Sequence, residues 1–152
     1  MMTINLVCVG NLKEKYWIEA CDEYRKRLSK FCKLKLVEVD EQNKYINIDQ
    51  IVFKEGEIIQ NYLTPHSVLM AIEGKQYSSE ELADFLREKQ LLTSELTFVI
   101  GGSYGVSDEV KKSVKSKISF GKPTFPHNLA RVMLLEQIYR AFMINAGSSY
   151  HK

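Results

Sequence analysis

Apolar residues follow two rhythms along this chain. TINLVCV at 3–9, SVLMAI at 67–72 and LTFVI at 96–100 are nearly unbroken apolar runs, the mark of strands covered on both faces. KLKLVEV at 33–39 alternates polar and apolar residues and predicts a half-buried strand, and KISF at 117–120 predicts a short fifth one. Between these runs the spacing turns helical. Tyr16, Ile18, Ala20, Cys21, Tyr24 and Leu28 place a helix over about 13–30, and a second covers about 48–62 before Thr64-Pro65. Ser78-Ser79-Glu80-Glu81 opens a third helix that runs to about Gln90, and Ser107-Asp108 caps a lysine-rich fourth. A fifth runs from about His127 to Ala146 and ends at Gly147, a natural left-handed C′ position. The polar stretch DEQNKYINID at 40–49 is the main loop.

Strands and helices therefore alternate, which predicts an α/β fold with a mostly parallel sheet and helices on both faces. Ligands of such sheets bind beyond the carboxyl ends of the strands. Met70–Gly74, Gly101–Gly105 and Phe120–Pro126 all arrive at that edge. No repeat or interdomain linker interrupts the 152 residues, so one domain is expected.

Composition narrows the class without naming a function. With 45% hydrophobic and 26% charged residues the chain is neither disordered nor a coiled-coil rod. No apolar stretch approaches the roughly 18 residues of a membrane span. MMTINLVCVG also lacks the charged head of a signal peptide, so a cytoplasmic protein without a membrane contact is expected. Cys8, Cys21 and Cys32 form no Cys-x-x-Cys pair and read as buried free thiols, with no metal site expected. The net charge of +2 hides two acid-free basic runs, Arg25–Lys35 and Lys111–Arg131, that would suit a phosphate backbone if they shared one surface.

The glycines of FVIGGSYGV raise the question of a nucleotide cradle. Aligning Gly102 and Gly105 with a dinucleotide fingerprint puts Ile100 where its first glycine belongs, and no acid follows the next strand. Gly121-Lys122-Pro123-Thr124 fails as a Walker A loop, because Ser116 stands where a glycine is required. Two shaped loops at one sheet edge still suggest a ligand between them. The last helix is apolar on nearly every side, which a homodimer seam would explain. On it Glu136 and Arg140 are spaced for a helical ion pair, while Arg131 and Gln137 point elsewhere, toward a partner subunit. Tyr150, His151 and Lys152 end the chain with an aromatic, a titratable group and a cation, a set suited to a base and its phosphate unless the tail is frayed.

FVIGGSYGV, KISFGKPTFPHNLARVMLLEQIYRAF and the terminal YHK together resemble the RlmH family of SPOUT methyltransferases, and VGNLKEKYW, KEGEII and AIEGKQYSSEELA extend the resemblance over the whole chain. The resemblance implies a SPOUT-type fold with a C-terminal deep trefoil knot, a homodimer, and S-adenosyl-L-methionine as cofactor. It also implies methylation of N3 of a pseudouridine in 23S ribosomal RNA of the assembled ribosome. Carried over residue by residue, the cofactor would lie against Met70, Gly101, Phe120, Gly121, Lys122, Pro123, Thr124 and Phe125. Arg140, Tyr150 and His151 would meet the RNA or the reacting base. His151 is the expected base, Glu136 a second candidate, and Arg140 the group that would steady the uracil anion. Gly121 and Pro123 stand where serine and a larger apolar residue are commoner in the family. Two other readings stay open: a flavodoxin-like nucleotide-binding domain, and a noncatalytic RNA-binding protein of SPOUT type.

Overall fold

The computed structural model describes residues 1–45 and 47–152. Ile46, in the polar loop expected at 40–49, lies outside the described residues.

Ten elements alternate along the chain. They are β1 (Met2–Val9), α1 (Lys15–Leu28), β2 (Cys32–Val39), α2 (Ile48–Gln60), β3 (Ser67–Gln76), α3 (Ser79–Leu92), β4 (Glu95–Ile100), α4 (Asp108–Ser113), β5 (Ser116–Ser119) and α5 (His127–Asn145). Side chains fix several helix starts, at Ser78 and Ser107 as predicted and at Asn47 besides. Asn47 accepts the amide of Asp49 at 2.8 Å, and Ser78 with Glu81 closes a reciprocal capping box of two 3.0 Å bonds. Ser107 likewise accepts the amide of Val110 at the head of α4.

The five strands form one wholly parallel sheet in the order β2-β1-β4-β3-β5. Alternate strand residues divide the core in two. Ile4, Leu6, Val68, Phe98 and Ile118 pack against α1, α3 and α5, whereas Val7, Val9, Leu69 and Val99 pack against α2 and α4. The order separates this sheet from the flavodoxin-like arrangement 2-1-3-4-5, because β4 lies between β1 and β3.

Strand β3 is longer than its apolar run predicts. It pairs with β5 through Met70, breaks register, and rejoins it when Lys75 and Gln76 meet Ile118 and Ser119. The polar extension EGKQ escapes an apolar-run criterion because its pairing carries it past the core. Helix α5 lies between α1 and α3, which accounts for its apolar residues on several sides. The tail beyond it is packed rather than frayed: Gly147 takes φ +71°, the chain turns back, and the Tyr150 ring meets that of Tyr139 at 4.9 Å.

The two basic runs do not share a surface within the protomer. Lys33 and Lys35 lie on β2 at one edge of the sheet, and Lys117 on β5 at the other. Among the described residues no helix is long and apolar enough to cross a membrane.

Candidate functional site

A cavity of about 780 Å³ opens at the carboxyl ends of β3, β4 and β5, where the strand pattern placed a ligand. Its walls include Met70 from β3, Gly101 from the turn after β4, and Phe120, Gly121, Pro123, Thr124 and Phe125 from the loop leading to α5. Seven of the eight expected cofactor residues therefore meet there. Lys122 is the exception: its side chain is exposed and is not part of the wall, because the loop turns it outward. Gly121 occupies φ +115°, a conformation in which the serine common at this position would be strained.

The glycines of the turn, besides standing in the cavity wall, serve the turn itself. A Cβ on Gly101 would lie 2.7 Å from Val106 Cγ1, and one on Gly102 would lie 2.8 Å from Val9 Cγ1. The protein itself fills the space beside these glycines, so they are required for the turn to close. The cavity is bounded by their backbone. Beneath the turn sits Glu55, only 4% exposed, whose carboxylate accepts the Gln42 amide at 3.1 Å; burial raises its pKa.

The donor set fits an adenosine-bearing methionine. The cavity is within the roughly 300–1,000 Å³ range of small-molecule sites. Among the described residues, the backbone N–H and C=O groups of Lys122, Thr124 and Phe125 have no hydrogen-bond partner inside the chain. Residues 71–74 lie in the register break of β3. The loop thus leaves backbone donors and acceptors beside an apolar wall, the combination that holds an adenine edge without a charged side chain. Glu73 and Lys111, paired at 3.5 Å, stand at the wall of the same cavity. Glu73 belongs to the Met70–Gly74 segment expected at this edge, whereas Lys111 was not anticipated there.

The four expected catalytic residues form a separate cluster, Glu136 and Arg140 from α5 with Tyr150 and His151 from the tail that folds back on it. Arg140 binds Glu136 through two bonds, Nε to Oε1 at 3.2 Å and Nη2 to Oε2 at 2.9 Å. Gln137 Nε2 donates to Oε1 at 2.8 Å and the Tyr150 hydroxyl to Oε2 at 2.9 Å, so the Glu136 carboxylate accepts four hydrogen bonds. Burial, followed by the bond to Glu136, pushes the Tyr150 phenol up to about 12, so it stays a donor. Arg140 can only donate, so at 3.1 Å His151 Nδ1 accepts, and Nε2 carries the proton directed at Glu80 Oε1, 2.7 Å away. The guanidinium also lies 4.8 Å over the Tyr150 ring.

Arg131 faces inward, against expectation, while Gln137 is half-buried against α3. Gln137 accepts the Ser79 hydroxyl at 2.8 Å, and Arg131 is 1% exposed inside its own protomer. A second cavity of about 420 Å³ is lined by Glu136, Gln137 and Tyr77, and shares Phe120 and Ile118 with the first. Cofactor residues and catalytic residues thus lie on either side of Phe120.

A family profile described as "Predicted SPOUT methyltransferase" matches residues 2–151. The chain belongs to the SPOUT methyltransferase family. It is 48% identical over 159 residues to ribosomal RNA large subunit methyltransferase H of Carboxydothermus hydrogenoformans, covering 99% of this chain and 100% of that one. The corresponding protein of Caldicellulosiruptor saccharolyticus is 45% identical over 153 residues, with 98% and 99% covered. A solved tRNA methyltransferase from Aquifex aeolicus shares the SPOUT fold, with a TM-score of 0.56 at 15% identity over 90% of this chain and 69% of that one. The strand order and this family membership together replace the flavodoxin-like reading.

Proposed function

We propose that the chain transfers the methyl group of S-adenosyl-L-methionine to N3 of a pseudouridine in 23S ribosomal RNA of the assembled ribosome, as a cytoplasmic homodimer. The observation that carries this reading is the cavity between the 101–105 turn and the 120–126 loop, with free backbone groups in its wall, in a chain 45–48% identical to proteins named ribosomal RNA large subunit methyltransferase H.

When bound, the cofactor supplies a methyl already activated on a sulfonium. The chain has then to hold donor and acceptor in line, and to take the proton from the imide nitrogen. Glu136 is ill suited as the base, since four donors occupy its oxygens, and it acts as the hub that orients Arg140 and Tyr150. His151 remains the base, with its Nδ1 lone pair now turned to Arg140. As the imide enters, Arg140 shifts its Nη1 proton from Nδ1 to the developing oxyanion, which frees the lone pair to receive the N3 proton. Glu80 steadies the imidazolium that results, through Nε2.

The homodimer reading is supported by the half-exposed Leu129, Val132, Met133 and Met143 of α5, which lie on the helix that also carries Glu136 and Arg140. A partner seated there would cover this apolar face and enclose the catalytic cluster. The knotted path is supported by the course of β3 and α5. The β3–α3 connector lies against the end of β5, yet the chain leaving β5 reaches a position between α3 and α1.

The test is mass spectrometry of 23S ribosomal RNA from a deletion strain, with tritium transfer from labelled S-adenosyl-L-methionine to its ribosomes. One methylated pseudouridine should be lost and then restored by the purified chain. If no modified pseudouridine disappears, the assignment fails; ribosome binding without label transfer would select the noncatalytic reading.

A further inference from the structure

Arg131 presents a buried charge that the proposed chemistry leaves unused. It lies on the first turns of α5, one helical turn after His127, and is 1% exposed. Its Nη1 donates to Glu38 Oε2 at 2.8 Å and its Nη2 to the carbonyl of Gly10 at 3.1 Å, while Nε has no partner. The same Glu38 oxygen accepts the amide of Leu12 at 3.3 Å. One guanidinium therefore ties the exit of β1, the end of β2 and the start of α5.

The tie reaches the cofactor cavity through His127, which forms part of its wall and lies 3.8 Å from Glu41. Gly10, at φ +98°, lets the segments meet: a Cβ there would lie 3.1 Å from Glu41 Oε1 and 3.3 Å from His127 Nε2. The 120–126 loop ends directly at His127, and its backbone makes few bonds of its own. Its pose depends on where the first turn of α5 is held, and Pro126 at the N-cap supplies no side-chain bond to hold it.

We infer that Arg131 is a positioning residue, fixing the 120–126 loop by clamping α5 to Gly10 and Glu38. A charge is suited to this because the clamp has direction: two acceptors, one just past β1 and one on β2, must both be in place, whereas an apolar side chain would tolerate a slide of the helix. The inference rests on the proposed function only in assigning the cavity to S-adenosyl-L-methionine.

The test uses Glu38→Gln, which leaves a partly exposed neutral partner, and Arg131→Met, which removes the charge altogether. Calorimetry with S-adenosyl-L-methionine, together with hydrogen exchange of the unliganded protein, is run well below each melting temperature. Both variants should bind about tenfold more weakly, and the amides of Gly121 and Ala130, bonded to Ser119 Oγ and to the Pro126 carbonyl at the two ends of the loop, should exchange faster, while turnover at saturating cofactor stays close to wild type. If Arg131→Met fails to fold, Glu38→Gln decides alone. Wild-type affinity and exchange in folded Glu38→Gln overturn the inference, as does a lowered melting temperature with affinity unchanged. A wild-type chain that does not bind the cofactor sinks the functional reading instead, and the exchange data still report on the clamp.

Discussion

Tyr150 and Glu136 join the tail of the chain to the middle of α5 through one 2.9 Å hydrogen bond, with the phenol as donor. That bond makes the last residues part of the folded structure. Together with the Tyr139 ring contact, it places His151 beside Arg140.

Replacing Tyr150 by Phe separates the bond from the ring packing. The Tyr139 contact should survive, while Arg140 and His151 lose a fixed neighbour, so single-turnover methylation should fall about tenfold with cofactor affinity unchanged. Stability also carries a signature at high pH. The folded phenol titrates at about 12, above its ordinary value of 10, so its contribution is complete below pH 10 and is lost as pH rises from 10 to 12. Denaturant melts should show a smaller loss of stability over that window for Tyr150→Phe.

The three thiols should be silent in the native protein. Burial pushes Cys8 up to about 12 and Cys32 to about 11, and it also raises Cys21. A thiol reagent at pH 8 should modify none of them until denaturant is added, after which all three react. Rapid native labelling of Cys8 would contradict its packing between the sheet and α5.

A prediction about the core follows from the position of α5. Ile138 is 2% exposed and faces the sheet, so Ile138→Ala should cost about 2–5 kcal/mol. For a domain of this size the melting temperature should drop by several degrees, with a circular-dichroism melt as readout. By contrast Leu91→Ala, at a side chain 84% exposed, should leave it almost unchanged.

How much of this was legible in the chain depends on the range of the interactions. The capping box at Ser78 and Glu81 and the ion pair of Glu136 with Arg140 are set by neighbours three or four residues apart, and spacing alone revealed them. The clustering of Met70, Gly101 and Phe120 followed from the rule for parallel sheets. Arg131 was misread because a charge on an apolar helix is usually solvated or at an interface, and its partner Glu38 is 93 residues away. Glu55 and the long β3 escaped for the same reason: a buried carboxylate and a polar strand extension are stabilised by segments distant in sequence. The i, i+4 pair of His127 and Arg131 at the head of α5 was the one local sign of the clamp.

Glu80 gives the sharpest test of the proposed base. It sits in the first turn of α3, and the hydrogen bond from His151 holds its carboxyl below the ordinary range. Glu80→Gln keeps the size and a hydrogen-bond acceptor but removes the charge that would steady an imidazolium. Because Glu80 is largely exposed, the fold should be unaffected and the melting temperature should stay within about 2 °C of wild type. The single-turnover rate of methyl transfer at saturating cofactor should fall several-fold, since the imidazolium formed in the step loses its charged partner. His151→Ala should remove most of that rate. An unchanged rate in His151→Ala would take the residue out of the chemistry, and an unchanged rate in Glu80→Gln would show that the carboxylate holds the tail without assisting the base.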